Sequence, residues 1–129
     1  MKLDHIALYV NDLEATKQFY EKYFGATSNT LYHNPKTGLK TYFLIFADGG
    51  RLELMTRPDM KHTDRESPVA GYAHLAMGAA GRDEVDRLTE RLRRDGYTVV
   101  SGPRVTGDGY YESCVLDPEH NQIEIVNRG

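Results

Sequence analysis

The sequence predicts an α+β fold made of two βαβββ modules, at residues 1–56 and 71–129, joined by a linker at 57–70. One strand-like run, one helical pattern and three further strand-like runs occur twice in the same order. The separations of matching landmarks are 69 residues for His5 and His74, 71 for Gly25 and Gly96, and 71 for Glu53 and Glu124. The linker is polar and contains proline, as expected between two modules.

The first module begins with the apolar run LDHIALYV and continues into a helical pattern over residues 11–25. Asn11 and Glu14 have the spacing of a capping box, and Gly25 supplies a C-terminal stop. Strand-like runs follow at residues 27–33, 39–47 and 51–56, separated by the turn sequences NPKTG and DGG. This order predicts one strand, one helix and three strands.

The second module repeats the order, starting from the run GYAHLAM at residues 71–77. A helical pattern over residues 82–95 is closed by Gly96. Strand-like runs at 97–105, 109–116 and 121–126 are separated by the turn sequences TGDG and DPEHN.

Composition limits the classes of partner. The chain has 129 residues and a formal charge of −3, so it has the size of one domain and lacks the basic excess that nucleic acid or an anionic membrane attracts. No run has the length of a membrane span or the pattern of a secretion signal. The single cysteine, Cys114, fits a reducing compartment, and we expect a cytoplasmic protein.

Four strand-like runs place one His or Glu between apolar neighbours. Successive strand residues point to opposite faces, so these side chains oppose the aliphatic face that a helix would cover. They are His5, Glu53, His74 and Glu124. A single strand His or Glu is more often structural than a metal ligand. Matched placement in both modules instead favours one divalent metal, such as Zn, Ni, Co, Fe or Mn, bound by two imidazoles and two carboxylates.

The segments DHIALYVNDLEATKQFYEKYFG, RLELM, GYAHLAM and LDPEHNQIEIV resemble the glyoxalase, bleomycin-resistance and extradiol-dioxygenase superfamily, also called vicinal oxygen chelate (VOC) proteins. The resemblance covers nearly the whole chain. It implies a single VOC domain over residues 1–129, with curved mixed sheets around a metal cleft.

Within the superfamily, this set of four ligand positions is most similar to glyoxalase I, the lactoylglutathione lyase. That resemblance implies metal ligation by all four residues. It also implies proton abstraction beside a carbonyl, with stabilisation of the enediolate, by Glu124 as first candidate base and Glu53 as second. The implied substrate is an α-oxo thiohemiacetal or a related small carbonyl compound, such as an adduct of glutathione or another thiol.

Alternatives remain open at this level. The chain could be a drug-sequestering protein of bleomycin-resistance type, a fosfomycin-type transferase or a dioxygenase. We expect a homodimer with two shared sites, each using His5 and Glu53 of one subunit and His74 and Glu124 of the other. Candidates for binding substrate anions are Arg51, Arg57, Arg104 and Asn29. Ordinary surface histidines are expected at His33, His62 and His120, and Cys114 is expected to be a small buried side chain.

Overall fold

A computed structural model describes residues 1–61, 68 and 70–129, and it confirms the α+β class. The chain divides into two compact units, Met1–Glu66 and Ser67–Gly129. In chain order the described elements are β1 (Ile6–Tyr9), α1 (Leu13–Phe24), β2 (Thr27–Ser28), β3 (Tyr32–His33), β4 (Lys40–Ile45), β5 (Arg51–Thr56), β6 (His74–Gly78), α2 (Arg82–Arg94), β7 (Val99–Val105), β8 (Tyr111–Leu116) and β9 (Gln122–Asn127). Neither described helix is long and apolar enough to span a bilayer.

The sheet of unit 1 is mixed, with strand order β1-β5-β4-β2 and with β3 also paired to β4. The run at 27–33, predicted as one strand, forms the two short strands β2 and β3 instead. Asn29 lies between them, and its side-chain Oδ1 accepts a 2.8 Å hydrogen bond from the Phe43 backbone N–H. An amide side chain thus replaces a backbone carbonyl in the ladder, which interrupts regular strand pairing.

Helix α1 begins one residue later than the capping-box prediction requires, so the predicted pairing of Asn11 with Glu14 is wrong. Asp12 is the N-cap, and its Oδ1 accepts a 2.9 Å hydrogen bond from the Ala15 backbone N–H. Glu14 instead accepts a 2.5 Å hydrogen bond from the Tyr42 hydroxyl on β4. The helix ends as predicted at Gly25, whose φ of 65° is left-handed.

The sheet of unit 2 is also mixed, with order β6-β9-β8-β7. Its first and last strands, β6 and β9, are parallel neighbours, as β1 and β5 are in unit 1. Helix α2 packs on β7, β8 and β9. Its buried Val85 and Leu92 meet a sheet face whose Ile123 and Ile125 are also buried.

In both units, one face of the sheet covers the helix and the opposite face carries the candidate ligands. Leu52 and Leu54 on β5 are buried, whereas Glu53 between them lies on the other face and is half-buried. The same alternation on β9 places Glu124 opposite the buried isoleucines. The alternation of strand side chains therefore places the packing residues on one face and the candidate metal ligands on the other, as the sequence pattern predicts.

Candidate metal centre

The first candidate pair lies at the parallel junction of β1 and β5. His5 immediately precedes β1, and Glu53 lies opposite Ala7 in the register of the two strands. His5 Nε2 and Glu53 Oε1 are 3.7 Å apart. Their side chains are 35% and 17% exposed, so both donors remain accessible from the ligand-bearing face.

The second candidate pair lies at the matching junction of β6 and β9 in unit 2. His74 is opposite Gln122 and Ala76 is opposite Glu124, which brings the imidazole and the carboxylate to the same face. His74 Nε2 and Glu124 Oε2 are 3.2 Å apart, and the side chains are 38% and 25% exposed. Each unit therefore brings one His and one Glu together.

The spacing of these atoms can be compared with metal coordination. Two donors bound at about 2.1 Å to one ion and separated by about 90–109° lie about 3.0–3.4 Å apart. The 3.2 Å pair falls within that range, and the 3.7 Å pair lies slightly beyond it. Over residues 1–61, 68 and 70–129, no three His, Cys, Asp or Glu groups form a metal-binding cluster. Each pair fits half of the predicted donor set, and the complete four-residue site stays a prediction.

Asp4, Arg51 and Phe43 surround His5 of the first pair, and the four side chains form a closed set of contacts. His5 Nδ1 is 2.7 Å from Asp4 Oδ2, and Arg51 Nη1 is 3.1 Å from that same oxygen. The Arg51 guanidinium lies 4.3 Å from the centre of the Phe43 ring, and the Phe43 and His5 rings meet edge-to-face with centroids 5.1 Å apart. The hydrogen bond from His5 and the charge of Arg51 hold the pKa of Asp4 below its usual value.

The surroundings of the second pair are different, because acidic groups and a thiol take the place of the aromatic and cationic ones. Cys114 on β8 is the register partner of Glu124, and Glu112 shares its strand face. Burial and the charge of Glu124 raise the pKa of Glu112. Cys114 is buried, as predicted. Its burial, and then the charges of Glu124 and Glu112, raise the pKa of its thiol, so the thiol stays protonated at neutral pH.

Glu112 is a second carboxylate on this face that the sequence analysis did not select. Its signal was present in the strand-like run 109–116, where alternation places Glu112 on the same side as Cys114. Asp4 was likewise passed over, although it directly precedes the first candidate histidine.

The residues proposed for substrate anions already have partners within their own units. Arg51 bonds Asp4, and Arg57 bonds Asp59 through two contacts of 2.7 and 2.9 Å. Arg104 lies opposite Glu112 in the register of β7 and β8. A substrate carboxylate would therefore have to compete with protein carboxylates for these cations.

Two of the remaining histidines, His33 and His120, lie outside both pairs and at the surface, as predicted. His33 is exposed on β3, and His120 is exposed in the turn between β8 and β9. His62 lies outside the described residues.

Comparison with known proteins assigns the family. The sequence model of the Glyoxalase/Bleomycin resistance protein/Dioxygenase superfamily matches residues 2–125. The chain belongs to this superfamily. The resemblance stated from the sequence segments is thereby confirmed, together with the fold class that it implied.

Two curated relatives of this VOC chain match along almost their full lengths. The uncharacterized protein YqjT of Bacillus subtilis is 30% identical over 131 residues, covering 96% of this chain and 97% of YqjT. The lactoylglutathione lyase of Haemophilus influenzae is 27% identical over 128 residues, covering 98% of this chain and 92% of that enzyme. Superfamily relatives therefore include a glyoxalase I.

A solved structure extends the comparison to a different superfamily activity. The fosfomycin resistance protein FosX of Listeria monocytogenes, complexed with Mn(II) and sulfate, gives a TM-score of 0.73 at 21% identity. The match covers 98% of this chain and 91% of FosX. At that identity the likeness shows the shared VOC fold.

Proposed function

We propose that this VOC protein is a metal-dependent lyase or isomerase of glyoxalase I type. Its substrate is an α-oxo thiohemiacetal or a related small carbonyl compound, and the reaction moves a proton beside the carbonyl. The observation that carries this function is the matched His–Glu pair in each unit, with Nε2 to carboxylate distances of 3.7 and 3.2 Å. Similarity to the Haemophilus influenzae lactoylglutathione lyase supports the same activity.

The proposed ligands of one divalent ion are His5, Glu53, His74 and Glu124. Zn, Ni, Co, Mn and Fe all accept this mixture of imidazole nitrogen and carboxylate oxygen. When bound, the ion supplies Lewis-acid polarisation of the substrate carbonyl. A bound ion would also offset the desolvation cost of the two partly buried carboxylates of Glu53 and Glu124.

Glu124 is the proposed base that takes the proton, and Glu53 is the second candidate. The superfamily resemblance favours Glu124, and this side chain retains more solvent access, at 25% against 17% for Glu53. A carboxylate positioned within hydrogen-bonding reach of the carbon-bound proton contributes about 10²- to 10⁴-fold to the rate. The neighbouring half-buried Glu112 gives the substrate a further group to contact on the same face of the sheet.

The proposed assembly is a homodimer with two equivalent sites. Each site takes His5 and Glu53 from one subunit and His74 and Glu124 from the other. Two-fold symmetry makes both sites complete without additional ligands.

A mixing experiment tests this shared site. A heterodimer of His5→Ala and His74→Ala subunits collects both lesions in one site and leaves the other intact. Mixing two inactive variants should therefore restore up to about half of the wild-type activity per heterodimer. Light scattering that gives a monomer at micromolar concentration, or confirmed subunit exchange without restored activity, would contradict the arrangement.

Metal titration followed by a substrate panel tests the function itself. Metal-free protein is titrated with Ni(II), Zn(II), Co(II), Mn(II) and Fe(II), and each form is assayed with methylglyoxal plus glutathione and with other α-oxo aldehyde and thiol combinations. We expect one ion for each complete set of four ligands, which is two ions per dimer. We also expect isomerisation of at least one thiohemiacetal. Absence of metal binding below millimolar, or thiol addition to fosfomycin, oxygen uptake or tight drug binding in place of isomerisation, would overturn the proposal.

A further inference from the structure

We propose that Asp4, held in place by Arg51, is a positioning residue that fixes the orientation and tautomer of His5. The 2.7 Å contact between Asp4 Oδ2 and His5 Nδ1 points the opposite nitrogen, Nε2, toward Glu53. The inference rests on the proposed function, because the benefit of this orientation is that His5 presents Nε2 as a metal donor. Asp4 itself does not contact the proposed ion.

The hydrogen bond determines which nitrogen carries the proton. An ionised carboxylate only accepts hydrogen bonds, so His5 Nδ1 must donate its N–H to Asp4. A neutral imidazole has a single N–H, and Nε2 is then left with its lone pair. Carboxylates that accept the second N–H of a metal-ligating histidine fix its ring in this way and increase its basicity as a ligand.

Arg51 and Phe43 explain how an exposed carboxylate can hold this position. The side chain of Asp4 is 70% exposed, so a contact to His5 alone would compete with water. Arg51 Nη1 bonds the same Oδ2 at 3.1 Å, and its guanidinium lies over the Phe43 ring. Phe43 in turn contacts the His5 ring at 83°. The four side chains therefore restrain one another around the imidazole.

The second module offers a natural comparison within the same chain. The 69-residue displacement that relates His5 to His74 places Ala73 at the position of Asp4. Alanine has no side-chain acceptor, so the residue before His74 cannot give it the carboxylate contact that Asp4 gives His5. His74 therefore serves as an internal reference for measurements on His5.

The first measurement is long-range ¹H–¹⁵N NMR of the histidine rings in the metal-free full-length protein, above the usual titration range of imidazole. We expect the Nδ1–H tautomer for His5 in the wild type. Asp4→Ala should shift His5 toward the Nε2–H tautomer, with Asp4→Asn intermediate because its amide oxygen can still accept, and His74 should stay unchanged. Glu90→Gln, which removes one charge from the solvent-exposed side of helix α2, is the charge-matched control.

The second measurement is the affinity for Ni(II) by calorimetry. Loss of such a supporting partner weakens metal binding by about 10- to 100-fold, which we expect for Asp4→Ala, with a smaller loss for Arg51→Gln and none for Glu90→Gln. Circular dichroism establishes that each variant is folded.

The two measurements separate failure of this inference from failure of the proposed function. If the wild type binds none of Ni(II), Zn(II), Co(II), Mn(II) and Fe(II), the metal-dependent function fails, while the tautomer of His5 still decides the role of Asp4. An Nε2–H tautomer of His5 in the wild type would overturn the positioning role. So would an Asp4→Ala variant that keeps both the wild-type tautomer and the wild-type affinity.

Discussion

Replacing His74 with alanine is expected to abolish binding of one stoichiometric divalent ion. His74 supplies one of the two imidazoles in the proposed set, and its Nε2 is 3.2 Å from the Glu124 carboxylate. Without that nitrogen, only the Glu124 carboxylate remains of the second pair, and the ion loses one of its two proposed imidazole ligands. Metal content measured by elemental analysis after dialysis, together with Ni(II) calorimetry, should show the loss.

His33→Ala is the matched control for this variant. It also removes one histidine, but His33 is exposed on β3 and lies outside both pairs. We expect wild-type metal content in His33→Ala and an unchanged fold in both variants by circular dichroism. Undiminished metal in folded His74→Ala would eliminate this histidine from the ligand set.

Much of the fold follows from the hydrophobic period of the strands. The alternation of Leu52, Glu53 and Leu54 predicts one sheet face packed against the helix and an opposite face that carries the glutamate. The structure has that separation. The repeat displacement identifies corresponding strands in the two modules, and in both units the first strand pairs in parallel with the last. The separation of faces and the correspondence of strands depend on regular backbone geometry, so residue types and their spacing predict them. The parallel pairing was not predicted from the sequence.

The errors arose where a side chain replaced a backbone partner. Asn29 bonds the Phe43 backbone and divides a predicted strand, while Asp12 rather than Asn11 caps the first helix. Asn11 and Asp12 both have side chains that can cap a helix, and only the position of the neighbouring backbone N–H decides between them. The same holds for Asn29, whose side chain can accept a hydrogen bond in a turn or beside a strand. Local sequence therefore indicates that a cap or a break exists more reliably than which residue makes it.

The closeness of His and Glu within each pair could be predicted from the sequence, whereas the side chains around the pairs could not. A displacement of 71 residues relates Phe43 to Cys114 and Arg51 to Gln122, so matching positions carry different chemistry. In unit 1 an aromatic ring and a cation surround the His–Glu pair, whereas in unit 2 a thiol and a second carboxylate do so. The duplicated framework supplies one candidate His–Glu pair twice, and the substituted neighbours give each pair its own electrostatic surroundings.

Glu124→Gln is expected to lower kcat by about 10²-fold or more at saturating metal. Glutamine preserves the size of the side chain and keeps one oxygen donor, but it cannot take a proton from the substrate carbon. Because the change is isosteric on β9, between buried Ile123 and Ile125, the sheet should be retained. Metal affinity should fall less than turnover, and measuring kcat across a metal titration separates the two effects.

Two comparisons make the role of Glu124 specific. Glu90→Gln makes the same chemical change on the solvent-exposed side of α2, where Glu90 pairs with Arg93. It should leave kcat unchanged. Glu53→Gln removes the other candidate base, so a larger loss of kcat in Glu53→Gln than in Glu124→Gln would transfer the proton-accepting role to Glu53. Turnover near the wild-type value in fully metallated Glu124→Gln would exclude Glu124 as the base, because no amide at this position could perform the proton transfer.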